Sequence, residues 1–108
     1  MRLLIIILLL VVPAFADEKV QKGKKLTQQH LYDEALVELQ DIDVEKTDQK
    51  VELLFYRSCC NFYLLNREKA LTDLNLLLEY EREAPERYIF TAKRMLGEID
   101  GMKPDSLG

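Results

Sequence analysis

The chain has no tryptophan, one histidine and two cysteines, and between residues 24 and 84 it has neither glycine nor proline. Each shortage excludes something. A long stretch without turn formers is not a series of short strands joined by tight turns. A lone histidine, His30, cannot build a motif that needs two, such as H-E-x-x-H. It has no Asp-Ser or Cys partner at a recognised spacing and reads as a surface turn residue. The two cysteines, Cys59 and Cys60, are adjacent, which fails the C-x₂₋₄-C spacing of zinc sites and the wide spacing of a disulfide staple. Neighbours on a helix point about 100° apart, so an ordinary disulfide between them is prevented. They read as two small apolar side chains in a crowded helix, with intermolecular pairing or a strained vicinal bridge as the alternatives. No glycine-rich phosphate loop and no G-x-S-x-G occurs. Carboxylates are plentiful, as at Glu79, Glu81 and Glu83, but a spacing of two on a helix splays them apart. The expectation is a protein that is not an enzyme, with no catalytic residue, no metal site and no cofactor.

What is present begins with a targeting signal. Met1-Arg2 carries one positive charge, and Leu3 to Val12 is an unbroken run of Leu, Ile and Val. That is the length of a signal-peptide core and short of the roughly 20 residues a membrane span needs. Pro13 is expected to break a helix through the run. Ala14-Phe15-Ala16 leaves small side chains where signal peptidase cuts, and Asp17-Glu18 starts the mature chain with acid. Residues 1–16 therefore read as a cleaved signal peptide, with a buried core helix or an uncleaved anchor as the alternatives, and the rest as exported, either periplasmic or secreted, touching a membrane only during transit.

Cleavage leaves 92 of the 108 residues and, without Arg2, 14 basic against 19 acidic side chains, a net charge of −5. That suits one domain with a modest core. Acids and bases alternate along it as on a solvated surface, and no basic patch is interleaved with aromatics, which argues against nucleic acid.

Apolar residues recur at spacings of three and four throughout, so the fold class reads as all-α. Five helices are expected. The first spans about 18–29 with Val20, Gly23 and Leu26 on one stripe. The second spans 32–43 with Tyr32, Ala35, Leu36, Leu39 and Ile42 on one face. The third, 49–64, is apolar around most of its circumference and therefore central, with Thr47 or Asp48 as its N-cap. The fourth, 67–81, presents Ala70, Leu71, Leu74, Leu77 and Leu78, with Asn66 as its cap. The fifth, 86–99, carries Tyr88, Ile89, Ala92, Met95, Leu96 and Ile99, with Pro85 and Glu86 at its start. Residues 101–108 read as a flexible tail. Pro104-Asp105-Ser106 resembles the start of another helix, which leaves a frayed tail and a longer chain as equal readings.

The chain also repeats itself. Gln28 to Leu36 aligns with Tyr63 to Leu71 at an offset of 35, which brings Ala35 onto Ala70 and Leu36 onto Leu71. Upstream Gly23 meets Ser58, and downstream Leu39 meets Leu74 and Ile42 meets Leu77. A helical hairpin recurring near 34 residues resembles the tetratricopeptide repeat. Gly23 and Ser58 match that family's small residue in the first helix, Leu26 its following large residue, Tyr32 the aromatic that opens the second helix, and Ala35 and Ala70 its small residue there. Arg57, Asn61 and Arg67 stand where the family has apolar or aromatic residues, and Arg82 replaces the proline that closes a repeat. Phe55 to Cys60 and Lys103 to Leu107 are also similar to segments of small exported bacterial proteins.

The resemblance implies a short solenoid over residues 17–100, with repeats at 17–49 and 50–84 and a capping helix at 86–99. It also implies a concave groove lined by the first helix of each hairpin. Carried across, that register gives Val20, Lys24, Thr27 and Gln28, then Phe55, Cys59, Phe62 and Tyr63, then Ile89, Lys93 and Leu96. Phe55 and Phe62 read first as core of the central helix with the groove as the alternative, and for Tyr63 core and groove are both open. The implied function is a scaffold that binds a peptide or protein segment in the groove. The alternatives are a structural subunit or homo-oligomer, and an accessory subunit of an envelope enzyme.

Overall fold

A computed structural model describes the backbone of residues 2–101 and the side chains of residues 15–101. Within them the chain is all helical, with five α-helices: α1 (Arg2–Gln28), α2 (Tyr32–Leu39), α3 (Lys50–Tyr63), α4 (Arg67–Glu79) and α5 (Glu86–Gly101), and a single 3₁₀ turn at Val44–Lys46 before α3. α1 packs against α2, α3 against α4, the two hairpins stack through α3, and α5 lies across α4 and α3. As its pattern predicted, α3 is central: Leu53, Leu54, Tyr56, Ser58, Cys59, Cys60 and Asn61 are all buried.

The apolar stripes explain the stacking. Leu53 of α3 joins Val20, Ala35, Leu39 and Tyr88 in one core. Leu54, one residue on, joins Ala70, Leu74, Leu77, Ala92 and Met95 in the other. Each fully buried Leu side chain contributes about 1.5–3 kcal/mol relative to exposure. Cys59 and Cys60 divide the same way, one to each core, and both are free thiols. Their divergence by about 100° is what lets one helix serve two cores.

The hairpin turns share one geometry. His30 and Leu65, 35 residues apart, both take a left-handed backbone with φ of 64°. After the first turn Leu31 N donates to Leu26 O at 2.9 Å and His30 N to Thr27 O at 2.9 Å; after the second Asn66 N donates to Asn61 O at 2.8 Å and Leu65 N to Phe62 O at 3.2 Å. These bonds satisfy the last carbonyls of α1 and α3 in the same way. Ala35 and Ala70 are both fully buried, and a Cβ on Gly23 would overlap the side chain of Leu39. Such close approach is why a branched side chain is excluded from these positions.

Some boundaries and caps differ from expectation. α1 runs through Pro13 without a break; a proline withdraws one N–H from the ladder, and the helix continues on both sides. Ala14 to Ala16 therefore lies within α1. α2 stops at Leu39, short of the expected 43, and Arg57 takes up carbonyls at and past that end: Nη1 donates to Leu39 O at 3.3 Å and Ile42 O at 2.9 Å. Asn66 occupies the N-cap of α4 without capping it; its Nδ2 instead donates to Asn61 Oδ1 at 3.1 Å. Gln49 is the N-cap residue of α3, while Thr47 Oγ1 accepts from Gln49 N at 3.0 Å and donates to Asp17 Oδ1 at 2.5 Å. α5 runs past the expected end at 99 to Gly101, which belongs to the helix rather than to the tail; residues 102–108 lie outside the described residues. Among the described residues no helix is long and apolar enough to cross a membrane.

Candidate functional site

Alternate helices of an antiparallel stack share a side, so α1, α3 and α5 form one face. On α3 that face carries Glu52, Phe55, Tyr56 and Cys59, within about a third of a turn of one another. Phe55 is partly buried and lies flat on Tyr88 of α5, with ring centroids 4.0 Å apart and planes 5° from parallel. Tyr56 meets both rings edge-on, at 5.0 Å from Phe55 and 5.8 Å from Tyr88. The result is a three-ring aromatic floor between α3 and α5.

A polar chain crosses the floor. Tyr88 Oη donates to Glu52 Oε2 at 2.8 Å. A hydroxyl has one proton, so the 3.2 Å bond between the two phenols has Tyr56 as donor and Tyr88 as acceptor. Lys24 of α1 reaches Glu52 Oε2 at 3.6 Å and sits 5.8 Å from the Tyr56 ring. Glu52 thus links all three helices. Burial, then the bonds from Tyr56 and to Glu52, push the Tyr88 hydroxyl above its ordinary range, so it stays a proton donor.

Two further cations flank the floor from α5. Arg87 lies over the Tyr88 ring at 5.3 Å. Arg94, two turns on, is exposed, and its charge acts on Cys59, where it opposes the effects of burial and of Cys60 that push the thiol up to about 12. Neither arginine has a carboxylate partner within salt-bridge distance among the described residues. A chain that is acidic overall therefore gathers Lys24, Arg87 and Arg94 around one aromatic floor.

The groove residues expected from sequence divide accordingly. Phe55 forms the floor and Lys24 its rim. Cys59 and Ile89 are both buried in the core shared by α3, α4 and α5. Phe62 is partly buried against that core and meets Tyr63 edge-on at 5.2 Å. Tyr63 is exposed at the hairpin end, stacked on Tyr32 at 4.7 Å. Gln28 is exposed on the last turn of α1. Lys93 is turned toward the end of α4, where it pairs with Glu81 at 3.3 Å. Val20 and Thr27 are buried, and Thr27 Oγ1 lies 3.2 Å from Cys60 Sγ. On α5 the exposed cations of this face are Arg87 and Arg94, with Tyr88 buried beneath Phe55, while Ile89 packs into the other core and Lys93 turns to Glu81. A signal for part of it was available: a tyrosine in an apolar stripe needs a partner for its hydroxyl, so Tyr56 and Tyr88 together required a polar group such as Glu52. Among the described residues no cluster of His, Cys, Asp and Glu is arranged to hold a metal ion.

No family model, no curated protein and no solved structure matches the chain.

Proposed function

We propose that the protein is an exported helical-repeat scaffold that binds a peptide or protein segment across the face of α1, α3 and α5. The observation that carries this reading is the Phe55–Tyr88 stack, in which Phe55 stays partly exposed over the buried Tyr88, with Lys24 and Arg87 beside the rings and Arg94 exposed two turns further along α5. Aromatic rings and arginines are the side chains that dominate binding energy at interfaces. The floor is also preorganised. Glu52, Tyr56 and Tyr88 are held by one another, so little ordering is required when a ligand arrives. Export rests on the sequence of residues 1–17, in which charge, apolar core, A-x-A and acidic start occur in order.

A selection from a displayed peptide library against the purified protein tests the reading. Peptides that bind should lose at least about tenfold in affinity, near 1.4 kcal/mol, when Arg94→Glu or Phe55→Ser is introduced. Arg94 is exposed, so its variant keeps the fold. Recovery of no binder, or of binders indifferent to both changes, contradicts it. Self-association is the second reading, favoured by Phe90, which is 70 % exposed on α5 at the end of the stack. Sedimentation of the wild type against Phe90→Ser separates the two.

A further inference from the structure

On the opposite side of α3, half a turn from the aromatic floor, α2 and α4 stand apart and leave a cleft of about 330 Å³. That is at the lower end of the range of about 300–1,000 Å³ for small-molecule sites. Arg57 and Asn61, one turn apart on α3, form its floor; Lys69 and Asp73 line it from α4, Asp41 lines it just beyond α2, and Leu36 supplies an apolar wall. These include two of the residues that depart from the tetratricopeptide pattern, Arg57 and Asn61.

The polar groups are not equally engaged. Arg57 is fully committed to the protein: it grips Asp73 through two bonds of 2.8 and 3.0 Å and donates to the carbonyls of Leu39, at the end of α2, and Ile42. Asn61 is 2 % exposed. Its Oδ1 accepts from Asn66, but its own amide nitrogen has no acceptor among the described residues. Leu26, its counterpart 35 residues earlier, carries no such group. Lys69 and Asp41 have opposite charges on facing walls and pair neither with each other nor with another described residue. The cleft therefore presents an open amide and ammonium on one side and an open carboxylate on the other. A simple anion would meet Asp41 and Asp73, and a simple cation would meet Lys69 and Arg57. A molecule carrying both charges satisfies each wall.

We infer that this cleft binds a small zwitterion of the α-amino-acid type. Its carboxylate accepts from Asn61 Nδ2 and Lys69 Nζ, its ammonium donates to Asp41 and to the remaining lone pairs of Asp73, and its side chain lies on Leu36. This site is separate from the peptide face and stands or falls without it.

The test is an NMR titration of the purified protein with individual L-amino acids, each compared with its N-acetylated and amidated forms. At least one free amino acid should saturate with a Kd of about 1 mM or tighter, shifting the amides of residues 41, 61 and 69. Either blocked form should bind at least about tenfold more weakly. Asn61→Leu should weaken binding by a similar factor without lowering the thermal midpoint. Lys69→Ala and Asp41→Asn, both at exposed positions, should do the same, and they decide the matter if Asn61→Leu does not fold. Arg94→Glu should leave the affinity unchanged. Three results overturn the inference: no free amino acid saturates in that range, blocked forms bind as well as free ones, or the shifts fall on residues 55, 88 and 94.

Discussion

The two hairpins contain the same ion pair in two environments. Lys22 of α1 meets Glu38 of α2 at 3.1 Å, and 35 residues later Arg57 of α3 meets Asp73 of α4 at 2.8 Å. The first pair is out in solvent, its side chains 65 % and 21 % exposed; the second is enclosed, at 13 % and 8 %. The stack explains the change. α1 and α2 form the outer hairpin, whereas α3 is covered by helices on several sides, so the same position is turned inward. An exposed lysine gives way there to an arginine, whose planar fork meets a carboxylate with two bonds and still has donors for the carbonyls of Leu39 and Ile42. The geometry of the hairpin is repeated while its electrostatics are not.

The largest effect expected from breaking this comparison is at Asp73. Asp73→Ala leaves Arg57 buried without its counter-charge and should destabilise the protein by about 3–5 kcal/mol. Glu38→Ala should change stability by no more than about 1 kcal/mol. Urea midpoints of the two variants give the contrast directly, and equal losses would mean that the two pairs are not in different environments.

The small residues supply the next test. Gly23→Ala drives a methyl into Leu39 and should cost about 1–3 kcal/mol by overpacking. Ser58→Ala, at the matching position, removes a hydroxyl whose bond, to Phe55 O at 2.7 Å, is local to α3, and should cost about 1 kcal/mol or less. Thermal unfolding of both variants ranks them.

Lys24 and Cys59 are another matched pair, 35 residues apart, one on the rim and one buried. Burial, followed by Cys60, raises the Cys59 thiol from 9.0 to about 12. The sign follows from which form burial disfavours. The folded state keeps its proton over a range where the unfolded state has lost it. The contribution is therefore complete below about pH 9 and declines by about 1.4 kcal/mol per pH unit between the two values. Cys59→Ala should flatten that decline in denaturation curves taken from pH 8 to 11 (about the thiol range), and an unchanged slope would refute the assignment.

The smallest effect lies in the turns. Leu65 is 79 % exposed and left-handed, with little packing to lose, so Leu65→Gly should stabilise by about 0.5–1 kcal/mol as the backbone strain is relieved. His30→Gly should gain less, since His30 Nδ1 is bonded to Tyr32 Oη at 2.7 Å.

Most of the frame was legible from spacing alone. Ala35, Ala70, Leu39 and Leu74 lie at helical intervals, and these intervals report burial directly. α3 stood out because its apolar residues leave no single polar face. Less was legible in the site. Lys93 and Ile89 were placed in the groove by carrying a register onto α5, a helix without a repeat partner to fix its rotation. Tyr88 turns that rotation toward Phe55 and Glu52, a contact between helices that no local pattern encodes. Arg57 and Asn61 read as departures from an apolar seam. Their roles depend on Asp73, on the carbonyls of Leu39 and Ile42 and on Asn66, which only the fold brings together. The passage of α1 through Pro13 was equally hidden, because propensity at one residue is overridden by the turns around it.

The most direct test of the account is NMR mapping of a library-selected peptide on the labelled protein. The account predicts that shifts concentrate on Lys24, Phe55, Arg87, Tyr88 and Arg94, the face shared by α1, α3 and α5. Shifts confined to α2 and α4, with those five residues unmoved, would contradict it.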